Sequence, residues 1–396
     1  MRERPKQRYK HAYAWNALRA FLVILIFILF LGTLLDWKIQ TARGIIMFHD
    51  DLFWSVGIGA MVLTIYFAPM LWRNICPLAT ANLLYFSLFH RKKLEVIGAS
   101  ANTLHGIRGK IWQFLRKNGT AISAVVFWAI VPARLIFFNE NSYATAILLL
   151  VIFSAAIIMG ILFPVKSGWC TSICPVNAVE KTYGINPAIR VKNHRCHYRY
   201  NGTVLSCSGC TVNCIDTISP KFSYWKTQTQ KAFHDTFDTK IRRLFVATFP
   251  GFILAFFTLL NGLILPPPEA PRVFTIYVIV GAFMVLSAIP YYLLKHFFFA
   301  FTTANNGEIH IEKPNDFYAK RKHRMDIIYV ASCINIFMLF AANSVFMSIF
   351  PVLFPVSAPL ARLLYATALI GLLIFSIYVV KKSWNEGIAP NSQKNS

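Results

Sequence analysis

The sequence predicts an all-α polytopic membrane protein with about eight transmembrane helices and a Cys-rich loop on one side of the bilayer. Three observations carry this. Apolar runs of about 20 residues, the length a helix needs to cross about 30 Å of hydrocarbon, recur along the whole chain. Of its 396 residues, 56% are hydrophobic and only 14% charged, against about 25% charged in a soluble domain. Lys and Arg crowd onto alternate connections, as the positive-inside rule requires. The same balance excludes a disordered chain, a coiled coil and an ordinary cytosolic enzyme. Eight Cys in this length are too sparse for a secreted disulfide scaffold.

The apolar runs fall at 17–37, 52–71, 120–138, 144–165, 244–266, 273–294, 326–349 and 359–380. The first follows a basic head (Arg2, Arg4, Lys6, Arg8, Lys10, Arg19) without an A-x-A-like cleavage site, and reads as an uncleaved span. Of 40 Lys and Arg, 35 lie in the head, in 72–119, 166–243 and 295–325, and in the tail 381–396. Both termini and these loops therefore face the cytoplasm, and the net charge of +24 is first a topology signal. The lipid bilayer is the expected partner, and no nucleic-acid role is expected. Three regions follow: 1–165 with four helices, 166–243 as a cytoplasmic Cys-rich loop, and 244–396 with four helices and a basic tail.

Seven Cys fall on the cytoplasmic side: Cys76, Cys170, Cys174, Cys196, Cys207, Cys210 and Cys214. Cys333 sits mid-span and reads as a packing residue. A reducing compartment disfavours disulfides, so the six between 170 and 214 read as metal ligands or redox thiols. The iron–sulfur run is C-x2-C-x2-C-x3-C-P, held by thiolates. Cys207, Cys210 and Cys214 match its last three Cys, with Val204 and Ile215 at the remaining positions. The alternative is structural zinc, which usually pairs two C-x2-C or C-x2-C/H-x3-H knuckles; here there is one C-x2-C. The expected cofactor is a [4Fe–4S] cluster. A second cluster would be one thiolate short and would need another ligand, for which His194 and His197, flanking Cys196, are the first candidates.

Two junctions look alike. One ends Trp72-Arg73-Asn74-Ile75-Cys76-Pro77 and the other Trp169-Cys170-Thr171-Ser172-Ile173-Cys174-Pro175. Aligned on Ile-Cys-Pro, Trp72 falls where Cys170 stands. Each junction closes a helix pair, so spans one–two and three–four look like tandem copies. Both Trp residues are expected as interface anchors, with a quinone-pocket wall as the other reading. Arg134 is expected to snorkel from the outer end of its span. No carboxylate is counted inside a span, which argues against a proton or ion pump. No Walker loop, G-x-S-x-G, H-E-x-x-H or G-x-G-x-x-G stands in a usable context.

Trp-Cys-x3-Cys-Pro at the end of a membrane helix, doubled and followed by a ferredoxin-like Cys cluster, resembles the membrane polyferredoxin family. That family includes the NapH-type subunit of periplasmic nitrate reduction and the NosR-type protein of nitrous oxide respiration. The resemblance covers roughly residues 17–220. It implies [4Fe–4S] clusters at the cytoplasmic face of a bacterial-type inner membrane. It also implies electron transfer between the quinone pool and a partner redox protein, so that any enzymatic role is that of a quinol-oxidising subunit of an oxidoreductase system. Carried over by position, the family's ligands are Cys170, Cys174, Cys207, Cys210 and Cys214, with Cys76 retained alone from the first junction. The alternative function is a non-catalytic membrane protein whose iron–sulfur or zinc site shapes the loop, or senses redox state, for a partner complex.

Overall fold

The computed structural model describes residues 12–89, 106–139, 141–163, 168–183, 189, 191, 237–265, 271–297 and 314–386. The loop Cys residues Cys196, Cys207, Cys210 and Cys214, with His194 and His197, lie outside them. In chain order the helices are α1 (Ala12–Leu34), α2 (Ile58–Phe67), α3 (Pro69–Ile75), α4 (Pro77–Phe89), α5 (Gly106–Ala133) and α6 (Ser142–Leu162). There follow α7 (Val176–Tyr183), α8 (Phe237–Leu260), α9 (Arg272–Phe297), α10 (Pro314–Asn343), α11 (Phe350–Leu353) and α12 (Ala358–Glu386). π-helical stretches precede α2 (Phe48–Gly57), extend α5 (Arg134–Phe138) and α10 (Ser344–Ile349), and precede the second Cys-Pro turn (Trp169–Ile173).

The protein is a multi-pass membrane protein. Eight described helical segments are long and apolar enough to cross a bilayer: Ala14–Leu34, Phe48–Phe67, Lys117–Phe138, Ser142–Leu162, Lys240–Leu260, Arg272–Leu294, Arg324–Leu353 and Ala358–Lys382. They match the eight expected runs with ends shifted by a few residues. The fifth is the hub: 67% of its apolar window is buried, against 28% or less in the others. Phe245, Phe249, Phe252 and Phe256 from its α8 fill the largest apolar cluster together with Tyr66, Tyr183 and Tyr291. The outer helices leave Val285, Leu286, Leu363 and Ile374 exposed, each more than half. Such a belt has its natural solvent in lipid tails.

One element departs from the all-α expectation. Strands β1 (Lys38–Thr41) and β2 (Gly44–Met47) form an antiparallel hairpin with Lys38 opposite Met47 and Thr41 opposite Gly44. The Thr41 hydroxyl donates to the Val352 carbonyl at 3.3 Å. This pins the connection between the first two spans onto the end of the seventh.

Two polar pairs inside the spans correct the sequence reading. Arg134 does not snorkel: it is buried, its Nη2 lies 3.2 Å from Asp50 Oδ1, and its guanidinium sits over the rings of Trp54 and Phe256. Buried carboxylate is also present. Asp326 is fully buried, bonded to Arg242 Nη2 at 3.2 Å and accepting the Tyr291 hydroxyl at 2.6 Å. Both carboxylates occupy the end turns of their spans, where paired charge is less costly than at mid-bilayer.

Candidate functional site

The site is built from two turns with the same cause. A residue before proline is pushed out of the α region. Cys76 before Pro77 has φ −47°, ψ 123°, and Cys174 before Pro175 has φ −56°, ψ 120°. Each ends one short helical segment and precedes another: Pro77 is the first residue of α4, where its missing N–H is no loss, and Pro175 immediately precedes α7. The Cys76 N–H donates to the Trp72 carbonyl at 2.7 Å, and the Cys174 N–H to the Trp169 carbonyl at 3.0 Å. The hydrogen bonds therefore equate Trp72 with Trp169, not with Cys170. The second turn is π-helical and carries one more residue between Trp and Cys. Cys170 belongs to that inserted length, so Trp72 does not stand in a vacated ligand position.

Each turn is held by the first span of its own copy. Arg19 Nε donates to the Asn74 carbonyl at 2.8 Å. The Ser123 hydroxyl donates to the Cys174 carbonyl at 2.7 Å and accepts the Ala178 N–H at 2.9 Å, capping α7 from a neighbouring helix. Each following helix also packs on the second span of the other copy: α4 on α6, and α7 on α2. Two glycines permit the closest approaches. A Cβ at Gly160 would strike the Asn82 carbonyl, and one at Gly119 would strike the Thr171 carbonyl. Asn82 Nδ2 donates to the Ala156 carbonyl at 2.9 Å. Ser123 is six residues past Lys117, the start of its span, so the second turn lies level with the first part of that span.

Polar groups are concentrated here. The α7 sequence VNAVEKTY is buried from Asn177 to Tyr183 despite its polarity. Glu180 forms a buried ion pair with Arg73 of α3, and Lys181 Nζ donates to Thr120 Oγ1. Sequence reasoning missed this charged contact, because Glu180 and Arg73 are 107 residues apart. Trp169 is only 3% exposed, an interior residue and not an interface anchor.

Of the candidate ligands, Cys76 and Cys174 are buried and Cys170 is half-buried. Cys174 and Trp169 share an apolar cluster with Ala156, against which Cys170, Leu78 and Ala81 pack. Burial pushes the Cys174 thiol well above the ordinary range, and the nearby Cys170 and Cys76 push it the same way. Cys170 packs against the cluster that buries Cys174, and Cys76 lies in the wider vicinity of Cys174. Among the described residues no group of three His, Cys, Asp or Glu side chains closes on a single metal ion. Cys333 is fully buried elsewhere, in the cluster around Tyr183 and Phe249.

The chain matches no family model, no curated protein and no solved structure.

In donor chemistry the turns suit a thiophilic group. Cys76, Cys170 and Cys174, with the Met159 thioether packed against the same cluster, supply soft donors at this place. One tetrahedral ion with bonds of about 2.3 Å would need its thiolates drawn tightly together. A four-iron cluster holds its thiolates on separate irons and so accepts a wider spacing.

Proposed function

We propose that the protein is a membrane-bound iron–sulfur electron-transfer protein, moving electrons between the quinone pool and a partner redox protein. The observation that carries the reading is the pair of equivalent Cys-Pro turns packed against each other, which carry Cys76, Cys170 and Cys174, in a chain that also has the Cys207-x2-Cys210-x3-Cys214 run. The family resemblance supports the same reading. Cys170, Cys174, Cys207, Cys210 and Cys214 are the proposed principal ligands, with Cys196 and Cys76 as the further thiolates. A bound [4Fe–4S] cluster would supply one-electron chemistry. The chain's own part is to ligate it, exclude water with Trp169 and the surrounding apolar cluster, and fix the turns through Arg19, Ser123 and the Arg73–Glu180 pair. The distribution of Lys and Arg supports a cytoplasmic side for the turns, both chain termini and the Cys-rich loop, and the family resemblance supports a bacterial-type inner membrane.

The test is anaerobic purification with iron, acid-labile sulfide and zinc analysis. Visible absorption near 400 nm that bleaches on reduction is expected. Cys174→Ala, Cys207→Ala and Cys210→Ala should each remove most of a [4Fe–4S] signal, whereas Cys333→Ala should leave it intact. A colourless protein with stoichiometric zinc would instead establish the second reading, a structural metal site serving a partner complex.

A further inference from the structure

The two Cys-Pro turns exchange partners. Arg73, three residues before Cys76, pairs with Glu180, six residues after Cys174. Leu78 and Ala81, just after Cys76, pack into the cluster that buries Cys174 and Trp169. The Cys76 thiol lies within electrostatic range of Cys174, as does Cys170. A second, independent observation concerns hydrogen-bond donors. The indole Nε1 atoms of Trp72 and Trp169, at equivalent positions of the two turns, are buried with no hydrogen-bond partner among the described residues, a state shared with Trp128; the Trp72 ring packs against the central cluster and the Trp169 ring against Cys174. Asn177 Nδ2, three residues after Cys174, is in the same state. Buried donors are nearly always satisfied, and each exception asks for an explanation. A neutral thiol is only a weak acceptor. Thiolates and inorganic sulfides carry negative charge and accept N–H hydrogen bonds, which tune the potential of a cluster.

We propose that the two turns build one centre, not two: Cys76 ligates the same iron–sulfur cluster as Cys170 and Cys174, and the indole N–H groups of Trp72 and Trp169 donate to its sulfurs. This rests on the iron–sulfur reading above and assigns its ligands across the repeat. Cys76 is then neither a remnant nor the anchor of a separate cluster. The Trp residues are positioning and tuning groups that touch the cofactor through one hydrogen bond each. The π-turn has a purpose in this arrangement. Its additional residue gives the second turn Cys170, and the chelate needs only one thiolate from the first.

The experiment uses the full chain in detergent, reconstituted without oxygen, with electron paramagnetic resonance of the reduced protein and iron and sulfide counts. Cys76→Ser and Cys174→Ser are expected to remove the same signal and equal amounts of iron. Trp72→Phe and Trp169→Phe keep the ring and delete only the donor. Both should retain iron and lower the midpoint potential of that one signal, because a lost N–H···S bond disfavours the electron-rich state. These two variants keep the test decisive if a Cys variant fails to elute as a single species. Cys76→Ser and Cys174→Ser removing two distinct signals would overturn the shared centre, as would full iron retention in Cys76→Ser. Unchanged potentials in both Trp variants would overturn the hydrogen-bonding role. Wild-type protein with zinc and no iron or sulfide would overturn the iron–sulfur reading itself. Whether the turns share a metal would then be read from zinc loss in Cys76→Ser.

Discussion

Removing one partner of the Arg73–Glu180 pair tests whether the two repeats are locked together inside the helix layer. Their side chains are 5% and 8% exposed, so solvent screens them little. Breaking a buried pair from one side strands the other charge and costs about 3–5 kcal/mol. Arg73→Met and Glu180→Met should each destabilise by that amount. At roughly 2 °C per kcal/mol for a chain of this size, the apparent Tm in detergent falls by about 6–10 °C. The double variant leaves no stranded charge, and replacing a buried pair by apolar groups is often neutral. It should therefore be more stable than either single variant, giving a coupling of at least about 3 kcal/mol. The assay is thermal unfolding followed by a dye that fluoresces on thiol exposure, since Cys76, Cys174 and Cys333 are all buried. If the double variant loses the sum of the two singles, within about 0.5 kcal/mol, the side chains do not interact and the exchanged arrangement of the turns is wrong.

Further outcomes follow from the same geometry. Gly119→Ala and Gly160→Ala push a Cβ into a backbone carbonyl and should each cost about 1–3 kcal/mol in the same assay. Gly281→Ala meets open space and should be neutral or stabilising by about 0.4–1 kcal/mol; equal behaviour of all three would refute the close approaches. In metal-free protein the raised Cys174 thiol is less ionised at any given pH than an ordinary thiol, whose pKa is about 8–9. Its alkylation rate should keep climbing past pH 9, and a plateau by about pH 8.5 would contradict the burial. Reporter fusions after residue 200 and at the C terminus should both score cytoplasmic, and a split result would sink the eight-span topology.

The spans were legible because hydrocarbon thickness sets a length and composition that no soluble helix needs. The equivalence of the two turns was legible in the shared Ile-Cys-Pro, because proline dictates the backbone of the residue before it. Their alignment upstream was not. A π-turn adds one residue without changing residue type, so counting back from Cys76 and Cys174 equates Trp72 with Cys170, whereas the hydrogen bonds equate it with Trp169. The hairpin Lys38–Met47 was hidden in a connection too short to show a pattern. The buried charges were missed for a different reason. Asp50 and Asp326 stand near span ends, where a charge is unremarkable, and their partners Arg134 and Arg242 each lie 84 residues away. Only the fold joins them. The site is legible in the same uneven way: the types and spacings of its Cys residues are in the sequence, but the neighbourhood of Cys76 and Cys174 is not.

The exchange of partners between the turns also sets a timetable. Asn82 bonds Ala156, 74 residues further along the chain, and Arg73 waits for Glu180 across 107. At translation rates of about 5–20 residues per second, roughly 4–20 s separate synthesis of the first turn from synthesis of the surfaces that bury it. Throughout that interval Arg73 and Asn82 have been made without Glu180 and Ala156, and the first turn has only the first span to close against. On the proposed reading, in which Cys76 ligates a cofactor, that thiol is most accessible before the third and fourth spans are complete. Pulse-chase labelling of thiols on stalled nascent chains would show Cys76 reactive in chains ending before α6 and protected in chains extending past α7.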